Sequence, residues 1–160
     1  MSEPTVPSVG KAAPAFTLLS DKSEKVKLSD FKGKRVVLYF YPKADTPGCT
    51  TQACSIRDRI KDYKKAGVEV IGISADEPEA LAKFKKKYKL PFTLVGDPSK
   101  KTIEKYGQWV EKSMYGKKYM GIQRSTFIID EKGKIAAYLP KVQPKAHDDL
   151  VFKALAELDA

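Results

Sequence analysis

Apolar residues run unbroken through Val36, Val37, Leu38, Tyr39 and Phe40, and a β-branched and aromatic run of this length predicts a buried strand over 35–40. Beyond it the apolar spacing lengthens. Ala53, Ile56, Ile60 and Tyr63 recur at three- and four-residue intervals, which predicts a helix over 51–65. Val68 to Ser74 is a second β-rich run, followed by a helical pattern over 77–88 that carries Leu81, Phe84 and Tyr88. A short strand, Phe92 to Val95, stops at Gly96, Asp97 and Pro98, and a short helix follows near 99–106. Ser125 to Asp130 and Lys134 to Tyr138 flank Glu131, Lys132 and Gly133 as two strands flank a hairpin turn. The last helix, 147–158, carries Leu150, Val151, Ala154, Leu155 and Leu158 on one face. Only the segment from Gly107 to Ile122 lacks a clear period. It carries Trp109, Met114, Tyr115, Tyr119 and Met120, and reads either as a functional loop or as aromatics laid over the edge of the core.

Strands and helices that alternate, then a hairpin and a closing helix, predict an α/β chain with a central mixed sheet and helices on both faces. That order is compatible with a thioredoxin-like fold carrying a short N-terminal extension. At 160 residues the chain reads as one domain, 1–160, long enough to bury a proper core. No run approaches the roughly 18 apolar residues of a membrane span, so no membrane partner is expected. The first ten residues lack a basic start followed by an apolar stretch, which with only two cysteines predicts a cytoplasmic protein.

A net charge of +10 raises the question of nucleic acid. The basic residues are nearly all lysines, with arginine only at Arg35, Arg57, Arg59 and Arg124, and base or phosphate readers favour arginine forks. The densest lysine run, Lys83 to Lys89, interleaves with Leu81, Phe84 and Tyr88 and reads as the solvated side of an amphipathic helix. No nucleic-acid partner is expected.

The candidate chemistry lies between the first strand and the first helix. Cys49 falls at a strand-to-helix turn, where unpaired backbone N–H groups and the helix dipole favour an anionic sulfur. Stepping back four residues from Ala53 lands on Cys49, so this thiol lies on the inward stripe. Cys54, five residues on, is rotated by about 140° around the helix, with its Cα roughly 8–9 Å from that of Cys49. A disulfide requires less than about 7 Å. Two readings stay open: Cys49 is a small buried hydrophobe and Cys54 incidental, or the two thiols pair after the first helical turn unwinds. Other chemistries are disfavoured. Four residues separate the cysteines, so there is no Cys-x-x-Cys motif, and Cys49, Cys54 and His147 are too few for a zinc site. His147 is the only histidine available to activate a thiol, and its neighbours Asp148 and Asp149 read as ordinary first-turn acids.

Pro42, Thr46 and Cys49 fill a Pro-x-x-x-Thr-x-x-Cys pattern that resembles the active-site signature of the peroxiredoxins. The longer string from Tyr39 to Cys54 is similar to the peroxiredoxin Q, or bacterioferritin comigratory protein, branch, as are Gly121 to Asp130 and the opening Gly10 to Phe16. The resemblance covers essentially the whole chain. It implies a thiol peroxidase that reduces hydrogen peroxide and organic hydroperoxides, usually as a monomer and without metal, haem or flavin. Cys49 would be the peroxidatic cysteine and become a sulfenic acid. Cys54 would be the resolving cysteine, forming a Cys49–Cys54 disulfide that thioredoxin or glutaredoxin reduces. Thr46 would orient the thiolate and the peroxide, or serve as a helix N-cap. Arg124 would stabilise the thiolate and the departing oxygen, or be a surface or helix-bridging cation. Pro42 would shield the pocket, and the Gly48 and Cys49 N–H groups would hold a peroxide oxygen. A rival reading is a redox-responsive binding or chaperone protein, in which unwinding of the helix exposes a partner surface.

Overall fold

A computed structural model describes residues 5–160. The run at 35–40 forms β3 (Arg35–Phe40), an inner strand of a seven-stranded sheet. Its period of two divides the core: Val37 and Tyr39 face one side, Val36, Leu38 and Phe40 the other. Burial on both faces explains why the strand reads as a continuous apolar run. β4 (Val68–Ser74) pairs with β3 in parallel, and β5 (Thr93–Gly96) pairs in parallel with β4. On the other side β8 (Ser125–Ile129) runs antiparallel to β3, and β9 (Ile135–Leu139) antiparallel to β8. The N-terminal extension is part of the sheet. β1 (Thr17–Ser20) adds to β5, and β2 (Lys25–Lys27) forms the edge, giving the order β2-β1-β5-β4-β3-β8-β9. The chain has the mixed sheet and flanking helices of a thioredoxin-like fold. Among the described residues no helix is long and apolar enough to cross a membrane.

Two sequence expectations need correction. The helix expected over 51–65 starts earlier and is broken: α1 is Pro47–Asp58 and α2 is Ile60–Lys65. Arg59, at φ −111° and ψ 17°, leaves the helical region, while its guanidinium lies 4.4 Å over the Phe152 ring and donates to Asp149 at 3.0 Å. No glycine or proline marks the break, because its partners come from the far end of the chain. The second correction concerns 107–122, which is a separate hairpin, β6 (Trp109–Met114) and β7 (Lys117–Ile122), turning at Tyr115 (φ 51°) and Gly116 (φ 76°). Both faces of most of this ribbon are wet, so no apolar alternation announces it. The two-residue turn ending in glycine was the signal available.

α3 (Pro78–Tyr88) and α4 (Lys101–Lys105) follow the expected pattern within a few residues, and α5 (His147–Leu158) closes the chain. α1, α2, α3 and α5 cover one face of the sheet through Cys49, Ala53, Ile56, Tyr63, Leu81, Phe84, Val151 and Leu155. Against expectation, Asp148 is not an ordinary helix-start acid. It is buried, and its carboxylate accepts from the Ser55 hydroxyl of α1 and from the Tyr63 hydroxyl of α2. Burial and the adjacent Asp148 charge push the Tyr63 phenol up, so it stays protonated and donates. Next to it His147 is buried against the Tyr39 ring, with Nε2 2.7 Å from the Thr126 hydroxyl. Desolvation lowers its pKa to about 4, opposed by Asp148 and reinforced by Arg124. This histidine is therefore neutral and structural.

Asp148→Ala strands the buried Tyr63 hydroxyl and the half-buried Ser55 hydroxyl, and chemical denaturation should show a loss of about 2–4 kcal/mol. The histidine gives a second prediction. Its folded value lies below the ordinary 6.5, so its contribution is complete above pH 6.5 and is lost as pH falls toward 4. That loss is on the order of 3 kcal/mol. Because the chain has a single histidine, the thermal midpoint between pH 6.5 and 5 should lose most of its pH dependence in His147→Gln.

Candidate active site

β3 delivers the chain to the site. Its last residue, Phe40, pairs with Ser125, the first residue of β8. The segment following β3 and the residue preceding β8 therefore meet at one end of the sheet. Pro42, half-buried, begins that segment, and Asp45 turns it with φ 60°. Two carboxylates pin the turn. Asp76 accepts the Ala44 N–H at 2.8 Å and the Ser74 hydroxyl at 2.7 Å, while Asp45 accepts from Lys87 at 2.9 Å and from the Tyr88 hydroxyl at 2.8 Å. Thr46 is the residue before α1, with extended backbone, and Pro47 takes the first helical position, where no N–H is needed.

Cys49 enters in the first turn of α1 and is only 2% exposed. The first rung of the helix is the Thr50 N–H bonding to the Thr46 carbonyl at 2.8 Å, so the Gly48 and Cys49 N–H groups lie outside the ladder. Arg124 reaches across from the start of β8. Its Nη2 donates to the Cys49 sulfur at 3.4 Å and its Nη1 to Gln52 Oε1 at 2.6 Å. The Val142 N–H, donating to the Arg124 carbonyl at 2.9 Å, fixes the backbone behind it. Gly48 makes the approach possible, because a Cβ there would lie 3.1 Å from Arg124 Nη2 and 3.5 Å from Pro144 Cγ. A sulfur held by a guanidinium at a helix start is a place where negative charge on sulfur, or on an oxygen beside it, is stabilised without reorganisation.

Residues 9–138 match the model of the AhpC/TSA family. The chain belongs to this family, and it is a peroxiredoxin. It is 49% identical over 148 residues to the peroxiredoxin Bcp of Escherichia coli K12, across 92% of this chain and 95% of that protein. Among solved structures, Xanthomonas campestris peroxiredoxin Q superposes with a TM-score of 0.86 at 32% identity, covering 93% of this chain and 97% of that one. A structure of the bacterioferritin comigratory protein of the same organism, described for its alkyl peroxide reduction activity, gives 0.87 at 30% identity, covering 96% and 100%. The enzyme is thus a thiol peroxidase of the Bcp and peroxiredoxin Q type.

In this peroxiredoxin the fold gathers Pro42, Thr46, Gly48, Cys49 and Arg124 at one sheet end. Thr46 sits at the N-cap position but does not cap: its hydroxyl donates to the Lys43 carbonyl at 2.8 Å. With its one hydrogen committed there, it offers the site an acceptor. Cys54 stands apart on the half-buried side of α1, and both cysteines are free. Gln52 is the functional position that sequence reasoning missed. It is fully buried, holds Arg124 through Oε1, and leaves Nε2 without a partner. The signal was there, since Gln52 is a polar residue three positions from Cys49 on the inward face. Among the described residues no three His, Cys, Asp or Glu side chains are grouped to hold a metal ion.

Gly48→Ala should crowd Arg124 Nη2 by a few tenths of an ångström and lengthen its contact with the sulfur. Stopped-flow measurement of the peroxide reaction is expected to show at least a tenfold slower second-order rate, with the thermal midpoint little changed.

Proposed function

We propose that Cys49 is the peroxidatic cysteine, that Cys54 resolves it, and that a thioredoxin or glutaredoxin returns the enzyme to its reduced form. The contact from Arg124 Nη2 to the Cys49 sulfur at 3.4 Å carries this reading. The guanidinium and two unladdered N–H groups are donors to negative charge on sulfur, and the thiolate is the nucleophile. It attacks the nearer oxygen of a hydroperoxide, forming an S–O bond as the O–O bond breaks. Sulfur is oxidised to the sulfenic acid. The departing hydroxide or alkoxide takes a proton and leaves as water or alcohol. The Thr46 hydroxyl oxygen is free to accept the peroxide O–H, while Arg124 and the Gly48 and Cys49 amides meet the charge that develops on the oxygens. Pro42 keeps water from the pocket.

Resolution requires the first turn of α1 to open, and the helix is unequally fastened. Its start has no side-chain cap and contains proline and glycine; beyond the Thr50 rung it is held by the Thr51 hydroxyl on the Pro47 carbonyl at 3.0 Å and by Arg124 on Cys49 and Gln52. Its second half is anchored by Ala53 and Ile56 in the core, by Ser55 on Asp148, and by Arg57 donating to the Tyr88 carbonyl at 2.8 Å. Unwinding from the N-terminal end would carry Cys49 toward Cys54 while Cys54 stays in place. The Cys54 thiol then attacks the sulfenic sulfur, the disulfide forms and water leaves. Exchange with a dithiol reductant completes the cycle.

Mass spectrometry after one equivalent of peroxide tests both cysteines. The wild type should lose two hydrogens and gain no oxygen. Cys49→Ser should consume no peroxide. Cys54→Ser should complete one turnover, hold an added oxygen on Cys49, and fail to recycle with thioredoxin. Sustained turnover by Cys49→Ser would overturn the assignment.

A further inference from the structure

The β6–β7 hairpin brings one more cation to the reacting thiol. Lys112 lies in the middle of β6, paired with Tyr119 of β7, and is half-buried although most of this ribbon is exposed. Its aliphatic stem runs over Gly121, where a Cβ would stand 3.3 Å from Lys112 Cδ; glycine leaves the stem room to lie along β7. The side chain joins Gln123, Arg124, Lys141, Val142 and Pro144 in lining one groove. That groove borders the site, because Arg124 and Pro144, which line it, are also the residues nearest a Cβ placed on Gly48.

Charge in the groove is unbalanced. Lys112, Arg124 and Lys141 converge on it, and Arg124 already has the Cys49 sulfur and Gln52 as partners. Glu111 also lines the groove, but its carboxylate pairs with Lys118 at 3.6 Å. Among the described residues no carboxylate comes within ion-pairing distance of the Lys112 ammonium. Burial and the nearby Arg124 charge both lower the Lys112 pKa, while negative charge on the Cys49 sulfur opposes the shift. A half-buried ammonium facing a guanidinium is unfavourable until an anion lies between them.

We propose that Lys112 is a specificity-determining residue of this enzyme, holding the carboxylate of hydroperoxides that carry one. This rests on the assignment of Cys49 as the peroxidatic cysteine. The hydroperoxide end would reach Cys49 past Gly48, the carbon skeleton would lie against Val142 and Pro144, and the carboxylate would meet Lys112, with Lys141 adding attraction at the rim.

The test is a single-turnover comparison of two hydroperoxides with the same skeleton, one a free carboxylate and the other its methyl ester. Reacting with reduced enzyme, neither requires a reductant protein. The wild type should favour the carboxylate by about fivefold, as expected for one partly exposed ion pair, and added salt should erode that preference. Lys112→Gln should bring the ratio close to one, and Lys112→Arg should restore it. A general loss of fold or of thiol reactivity slows both substrates alike, so the ratio reports on charge recognition alone. Equal ratios in the wild type and Lys112→Gln would overturn the proposal. If the wild type consumed neither hydroperoxide and Cys49 stayed reduced, the peroxidatic assignment would fall, and this proposal with it.

Discussion

The contact between Arg124 and the Cys49 sulfur joins residues 75 positions apart, and most of the architecture exists to keep it. β3 and β8 are antiparallel neighbours, with Phe40 opposite Ser125. That register brings the exit of one strand beside the entrance of the other. A one-residue slip would point the alternating side chains of β8 to the wrong faces. The parallel strands β4 and β5 lie on the other side of β3, so the thiol sits at the carboxyl end of a strand where the direction of pairing changes, a place where α/β sheets leave a crevice. The guanidinium is held at three points, by its own backbone, by Gln52 and by the sulfur. Charge can therefore develop there without rearrangement of the donors.

Stability is distributed unevenly around that contact. The loop before α1 is tied by the carboxylates of Asp76 and Asp45, and the second half of α1 is tied to α2 and α5 through Asp148. Between these fastenings lies one poorly capped turn containing the Cys49 thiol. Local opening is easiest where fastenings are fewest, and this uncapped turn is the one whose opening the proposed chemistry requires. The buried His147 supports the same interface from below as a neutral ring, packed on Tyr39 and bonded to Thr126. Its partners are Tyr39 and Thr126, not the thiol.

Local pattern was enough to place the inner strand β3, the helix that presents Cys49 and the inward direction of that thiol, because strand and helix periodicities are local and β3 and α1 bury strong apolar faces. The sequence also carried the pattern of Pro42, Thr46 and Cys49, whose spacing lies within one short stretch of chain. What it did not determine has a common physical cause: partners distant in sequence. Asp148 looks like any acid at a helix start until Ser55 and Tyr63 are seen to donate to it. The break at Arg59 depends on Phe152 and Asp149. The 109–122 hairpin has no buried face to impose a period of two, so only its turn could have been read. Gln52 and Lys112 are ordinary polar letters until the sheet register and the hairpin bring Arg124 beside both. Tertiary structure alone decided which charges converge on the thiol, since electrostatics acts through space and the chain order conceals the distances.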